Sequence, residues 1–233
     1  MEKNLHLTVV IPAKDEFTKL EILLNQLRQQ THKDFDIIVA DNSDHGTTRY
    51  VCSKAEVRCI RGGLPGAGRN RGTEAAGGEY ILFLDADMHL DARFVERAMR
   101  TLALKKADCV SFGFYHQGNK RLERLHQLMT YYFFLMTKLG FPHAIGGAIL
   151  VKKSVHEAIG GFDETITVLE DFNYVKRISK KYRYRFVLKP SIGVSIRRIK
   201  KEGLRNLVWK YVRMEFHRLF FGEIRTNKYK YFD

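Results

Sequence analysis

The sequence predicts an α/β protein with a mostly parallel central sheet flanked by helices. Short apolar runs alternate with helix-spaced segments through the first hundred residues, and repeated strand–helix units put helices on both faces of a parallel sheet. The run Tyr80-Ile81-Leu82-Phe83-Leu84 is apolar throughout, as a strand buried on both faces must be. It stops abruptly at Asp85-Ala86-Asp87, and open sheets bind their ligands beyond the carboxyl ends of such strands.

Taken in order, residues 7–12 read as a strand closed by Pro12. Residues 18–30 read as a helix with Leu20, Leu23, Leu24 and Leu27 on one face. A second strand over 35–40 runs into polar Asp41-Asn42-Ser43-Asp44, and a shorter third covers 57–60. A glycine-rich turn then leads to a helix over 70–76, followed by the strand into Asp85 and a helix over 91–104. Further on, 109–115 and 148–152 read as strands, with Gly146-Gly147 ahead of the latter. A short helix opens at Ser154 and stops before Gly160-Gly161, 170–180 is helical, and 193–196 is a last strand.

Two segments are amphipathic. In 201–221, Leu204, Leu207, Val208, Tyr211 and Val212 form one stripe, and Asn206, Lys210, Arg213 and His217 the opposite one. Trp209, Phe216, Phe220 and Phe221 widen the apolar side beyond what a core-facing helix needs. Residues 120–141 likewise begin basic and turn apolar and aromatic over 128–136. Such composition suits a helix lying in a membrane interface, although packing on the domain would also use it. The run 128–136 is too short to span a bilayer.

The charge is lopsided. Residues 1–175 carry 22 Lys and Arg against 22 acids, whereas 176–233 carry 18 against 4, which accounts for the whole net charge of +14. An anionic partner near the C-terminal part follows, whether nucleic acid, acidic lipid or diphosphate. With 45% hydrophobic and 12% aromatic residues the chain is not a disordered one. Cys52, Cys59 and Cys109 lack metal-like spacing, so reduced thiols in a cytoplasmic protein are expected. No apolar segment follows Met1, so no signal peptide is expected.

Asp85 and Asp87 stand two residues apart, roughly 6.6 Å between Cα atoms if extended, and on one side of the strand. Two such carboxylates repel, which favours a cation between them or a proton on one. Oxygen-only ligands favour magnesium or manganese, which commonly hold substrate phosphates too. The plainer alternative is that one Asp caps the following helix. A G-x-x-x-x-G-K-[ST] loop, H-E-x-x-H and C-x-x-C are all absent. The segment Gly66-Ala67-Gly68-Arg69-Asn70-Arg71-Gly72 misses the dinucleotide fingerprint, its last glycine falling one residue late.

Five motifs, in order, resemble the family 2 glycosyltransferases of the GT-A fold over about residues 5–200. Ile11-Pro12-Ala13-Lys14-Asp15-Glu16 is similar to the opening I-P-x-x-N-E, with Asp for Asn. Asp41-Asn42-Ser43 resembles the segment after the second strand, and Arg69-Asn70-Arg71-Gly72 the A-R-N-x-G element. Asp85-Ala86-Asp87 resembles the D-x-D metal motif, and Gly161-Phe162-Asp163-Glu164 with Glu170-Asp171 the G-F-D-E and E-D pair.

The resemblance implies a catalytic domain over 1–200, with a nucleotide-binding half to about 105 and an acceptor half from 106, then a basic amphipathic extension over 201–233. It implies an inverting transfer from a nucleotide-diphospho-sugar, UDP-linked by family habit with GDP as the alternative. Pro12, Ala13 and Asp41 would form the nucleotide pocket, Glu16 would meet the ribose, and Arg69 the diphosphate or pocket wall. Ala86 would lie at the donor, Asp87 would bind Mn2+ or Mg2+ most directly, and Asp85 would orient the ion or contact the sugar or ribose. Arg197 and Arg198 would close over the diphosphate where relatives often have a metal ligand. Asp171 would be the base, supported by Glu170, both at a helix N-terminus that would lower their pKa. Gly146 and Gly147 are expected on the acceptor side. The acceptor is expected to be lipid-linked, with the protein peripheral on the cytoplasmic face of an anionic membrane. A sugar-nucleotide pyrophosphorylase is the alternative of similar fold, but it would carry a G-x-G-x-R loop where Pro12-Ala13-Lys14-Asp15 stands. A nucleic-acid binder would explain the charge and leave the carboxylates idle; no nucleic-acid partner is expected.

Overall fold

The computed structural model describes residues 6–44, 46–116 and 119–226. The chain opens with strand β1 (Leu7–Ala13), helix α1 (Phe17–Arg28), β2 (Phe35–Asp41), α2 (Thr47–Lys54), β3 (Arg58–Arg61) and α3 (Pro65–Glu74). Then follow β4 (Tyr80–Leu84), α4 (Phe94–Leu104), β5 (Cys109–Tyr115), α5 (Lys120–Lys138), β6 (Ala148–Lys152) and α6 (Lys153–Ala158). The last elements are α7 (Glu170–Ser179), β7 (Tyr184–Gly193), α8 (Arg197–Glu202) and α9 (Leu204–Phe221).

The described strands form one seven-stranded sheet in the order β3-β2-β1-β4-β6-β5-β7. Every pairing is parallel except those of β6, which runs antiparallel to both β4 and β5. That reversal positions the site. Leu84 at the end of β4 pairs with Ala148 at the start of β6, so Gly146-Gly147 arrive beside Asp85. The other edge reaches the same end, because Gly193 pairs with both Tyr115 and His89.

Burial explains the strands. Val9, Val10 and Ile11 are completely buried, as are Ile81 to Leu84, so continuous apolar runs belong here to strands covered on both faces. In α1 the four leucines at 20, 23, 24 and 27 are buried in the same core as these strands. The glycine-rich segment behaves differently from the expected turn. Helix α3 begins at Pro65, at the first helical position, and takes in Gly66, Gly68 and Gly72. Tertiary packing overrides their poor helix propensity. A Cβ on Gly72 would lie 2.2 Å from Val10 Cγ1, and one on Gly68 would lie 3.2 Å from Pro12 Cβ. The glycines let the helix backbone lie directly on β1.

Two other boundaries differ from expectation. The last strand covers 184–193, and 194–196 lie beyond it. Its register on β5 jumps from Phe112–Val187 to Gly113–Ser191, and the Lys189-Pro190 interruption hides the strand pattern from periodicity. Helix α4 starts at Phe94, and Asp91 Oδ1 accepts the Arg93 N–H ahead of it. Beyond residue 200 the chain folds back on the rest: Thr167 N–H donates to the Ile224 carbonyl at 2.9 Å, and Val168 pairs with Ile224.

Gly72→Ala is expected to lower stability in urea unfolding by about 1–3 kcal/mol, the usual cost of overpacking. Gly68→Ala should change little, because its softer contact is offset by a helix-propensity gain of about 1 kcal/mol.

Candidate active site

The carboxyl ends of β1, β2 and β4 supply the first layer of the site. Ala13 closes β1, and its carbonyl accepts the Asn42 N–H at 2.8 Å. Asp41 closes β2 almost fully buried. One of its oxygens accepts the Ser43 N–H at 2.9 Å, and the other lies 3.9 Å from Arg49 Nε. Oδ1 of this aspartate thus caps the turn at Asn42-Ser43, and Oδ2 is directed toward Arg49. Past β4, the Met88 N–H donates to the Asp85 carbonyl at 3.1 Å, which closes a turn around buried Ala86. Neither Asp85 nor Asp87 caps α4.

Arg69 ties the layers together. It projects from α3 and is 2% exposed. Nη2 donates to Asp85 Oδ1 and Nη1 to Glu170 Oε1, both at 2.7 Å. Its guanidinium lies 5.2 Å from the centroid of the Phe162 ring. Burial opposes its charge, yet Asp85 and Glu170 hold the guanidinium above its ordinary pKa. Both of its terminal nitrogens are thus engaged with carboxylates of the protein itself. Asn70 secures the same wall: its Oδ1 accepts the Phe162 N–H at 2.8 Å and its Nδ2 donates to the Phe162 carbonyl at 2.9 Å. Gly146 and Gly147 press on this assembly, since a Cβ would lie 2.8 Å from Arg69 Nη2 at the first and 2.7 Å from Asp85 Cγ at the second.

Asp87 faces a mixed cluster. Burial, then Asp85 and Glu16, push its carboxyl up to about 6, against the pull of Lys19 and Arg197. Arg197 makes an ion pair with Glu16, so the start of α8 reaches back over the start of α1. The Arg198 side chain lies outside the described residues. Lys19 was not foreseen. Its Nζ stands 3.6 Å from Glu16 and 3.9 Å from Asp87, buried and without a hydrogen-bond partner. Its spacing of three from Glu16, the residue that precedes α1, was the available signal.

Among the described residues no three His, Cys, Asp or Glu side chains are grouped to hold a metal. The donors nevertheless fit one held jointly with substrate. Asp85 Oδ1 is taken by Arg69, whereas Asp87 is a carboxylate whose charge its neighbours disfavour. Magnesium-type ions are often bound through one or two carboxylates plus substrate phosphates.

The second carboxylate pair opens α7. Leu169, just before it, is left-handed at φ 62°, a costly conformation for a branched residue, and Glu170 next to it is buried. Asp171 Oδ1 accepts the Phe172 N–H at 2.9 Å. The helix terminus was expected to lower this carboxyl. Burial and the adjacent Glu170 outweigh that effect, the Arg69 charge and the N–H bonds, and Asp171 is raised well above the carboxylate range.

Arg69→Met is expected to cost about 3–5 kcal/mol in urea unfolding, because it strands two carboxylates against the wall. Lys19→Met, which removes no hydrogen bond, should stay within about 1 kcal/mol of wild type.

The family model described as glycosyl transferase family 2 matches residues 8–160, more than half of the chain. The amylovoran biosynthesis glycosyltransferase AmsB of Erwinia amylovora is 35% identical over 95 residues, covering 36% of this chain and 32% of that protein. An uncharacterized glycosyltransferase of Haemophilus influenzae is 26% identical over 187 residues, covering 74% and 61%. The chain thus spans about a third of the length of AmsB and about three fifths of the other. In fold, it resembles the mannosyltransferase PcManGT from Pyrobaculum calidifontis, solved with GDP-Man and Mn2+, at TM-score 0.67 and 19% identity over 90% of this chain and 61% of that one. TarS of S. aureus superimposes at TM-score 0.64 and 16% identity over 97% and 45%. The α/β sheet is therefore of the GT-A type, as expected. With the family model running from β1 through β6, this chain belongs to glycosyl transferase family 2.

Proposed function

We propose that the protein is an inverting glycosyltransferase using a nucleotide-diphospho-sugar donor, UDP-linked with GDP as the alternative. One observation carries this reading: Arg69 joins the carboxylate turn after β4 to the carboxylate pair opening α7. A donor site and a base site thereby share one rigid wall.

The nucleotide is assigned to the ends of β1 and β2, at Pro12, Ala13 and Asp41, with Glu16 on the ribose. The diphosphate is assigned to the space between Asp87, Lys19 and Arg197, where two cations already flank an unfavoured carboxylate. Arg198 is assigned there too, by its place beside Arg197 in the sequence. Ala86 packs at the donor. Asp87, oriented by Asp85, would hold a Mn2+ or Mg2+ ion, whose chemistry is to neutralise the charge growing on the departing diphosphate. In the transfer, the acceptor oxygen attacks the anomeric carbon as the bond to the diphosphate oxygen breaks, and Asp171 takes the acceptor's proton. Glu170, paired with Arg69, holds the turn that aims Asp171. Attack from the side opposite the leaving group inverts the anomeric centre. Gly146-Gly147 leave room at the acceptor side. The acceptor is a hydroxyl or phosphate, lipid-linked and presented at the cytoplasmic face of a membrane. A mannosyltransferase of this fold solved with GDP-Man and Mn2+ and a TarS structure solved with UDP-GlcNAc support both nucleotide candidates.

A panel of UDP- and GDP-sugars with manganese should contain one that raises the melting temperature of the wild type, with the response lost in Asp87→Asn. If no nucleotide sugar shifts melting, the donor assignment is wrong. Asp171→Asn should keep the donor response and lose about a hundredfold to ten-thousandfold in transfer.

The raised Asp171 carboxyl also fixes two signs. A base must be unprotonated, so transfer should fall as pH drops through the folded-state pKa, well above the ordinary carboxylate range. In stability the same shift acts inversely. Between the unfolded pKa and the raised folded value the native state binds the extra proton, so Asp171 contributes a penalty that grows with pH. Asp171→Asn should therefore melt higher than wild type at neutral pH, with the difference vanishing below the ordinary carboxylate range.

A further inference from the structure

Helices α5 and α9 turn apolar faces away from the protein. On α5, His126, Thr130 and Phe133 are buried, and the Thr130 hydroxyl donates to the Phe114 carbonyl at 3.0 Å. Leu128, Tyr131, Tyr132, Leu135 and Leu139 are exposed, at the spacing of a single helical stripe. On α9, Leu207 and Met214 face inward, while Val208, Trp209, Val212, Phe216 and Phe220 are exposed, Trp209 at 62% and Phe220 at 67%. Buried His143 lies between the two helices. The Tyr132 ring lies 5.6 Å from its ring, and its Nε2 lies 3.7 Å from Glu215 Oε1 on α9. So many large apolar side chains exposed along two helix faces mark an interaction surface.

Charge identifies the occupant. The acids of this segment are consumed internally, Glu202 by Lys210 at 2.6 Å and Glu215 by Arg218. Arg205, Arg213 and Lys138 meanwhile stand exposed beside the apolar stripes. Aromatic and aliphatic side chains bordered by surplus cations match the boundary of an anionic bilayer, where rings enter the interface and cations meet headgroups.

The inner side of the same segment reaches the catalytic turn. Arg218 lies over the Phe172 ring at 5.3 Å, and the His143 ring is 4.8 Å from it. Asn173 Nδ2 donates to Glu223 Oε1 at 3.1 Å, and the Thr167 N–H donates to the Ile224 carbonyl at 2.9 Å. Residues 167–173, which contain strained Leu169 and the Glu170-Asp171 pair, are thus strapped from outside by residues 215–224.

We propose that the α5–α9 face seats on an anionic lipid bilayer and that this seating holds the 167–173 turn in its working geometry. The catalytic meaning of that turn rests on the reading of Asp171 as base; the seating itself does not. A strained turn persists only when its surroundings over-determine it, and a strap fixed at a surface supplies that constraint.

The test compares vesicles of phosphatidylcholine alone with an equimolar mixture of phosphatidylcholine and phosphatidylglycerol, using the whole chain. The wild type should cosediment with the anionic vesicles, and amide hydrogen exchange should slow in both 204–221 and 167–173. Trp209→Ser with Phe216→Ser, both at exposed positions, should keep the wild-type melting temperature, bind about tenfold or more weaker, and lose the protection of 167–173. Absence of vesicle binding, or binding indifferent to the double substitution, overturns the proposal. Equal binding to neutral vesicles overturns the anionic assignment, and binding without slowed exchange in 167–173 overturns the coupling. Self-association that protects 204–221 without lipid makes a second copy the occupant and overturns it as well. None of these readouts requires a donor, so a failed donor assignment leaves them intact.

Discussion

A guanidinium taken out of water has to be met by carboxylates, and the geometry of this site follows from how Arg69 satisfies that demand. It is held between Asp85 and Glu170, one from each half of the chain, with Phe162 against its face. Removing any partner would leave a charge in a low-dielectric setting, where the cost far exceeds that of a surface ion pair. The arrangement therefore tolerates few alternatives. It also separates the two aspartates: Asp85 is engaged by Arg69, and Asp87 faces Lys19 and Arg197. Stability and aim come from the same contact, and a burial that looks uneconomic for folding alone makes sense as pre-organisation.

The sheet topology delivers the partners of that contact. One antiparallel strand, β6, brings its preceding loop, where an all-parallel sheet would bring a following one, to the ligand-binding end. Glycines then allow the backbone to approach Arg69 and Asp85 within distances no side chain would permit. On the other flank, the chain leaving β7 carries Arg197 back to Glu16. Residues distant in sequence thus converge because strand ends converge.

Much of this was legible in the sequence. Continuous apolar runs announced β1 and β4, since a strand buried on both faces has no polar side to show. The carboxylates after β4 announced themselves as charge at an abrupt hydrophobic boundary, and those at the start of α7 only through the resemblance to the E-D pair. The rest was hidden for physical reasons. Helix α3 looked like a turn because its glycines serve contact with Val10 and not conformational freedom. Strand β7 was masked by Lys189-Pro190 and a slipped register. The inward aim of Arg69 and the upward shift of Asp171 depend on burial, which a linear motif does not encode. Lys19 was overlooked because its partners, Glu16 and Asp87, lie on different elements. Helical spacing identified α5 and α9 as amphipathic but could not say which side would face the protein.

The two bonds of Arg69 also impose an order of assembly. Asp85 lies 16 residues away along the chain, and Glu170 lies 101 away. At about 5–20 residues per second of synthesis, the guanidinium waits about 5–20 s after Arg69 is made before its second carboxylate exists. During that interval a nascent half-sheet can pair Arg69 with Asp85 but cannot finish burying it. The first half of the chain is born with an open position at Arg69 that only Glu170 in the second half fills, so truncation between them should leave a polar hole at Arg69 and not a smaller folded unit.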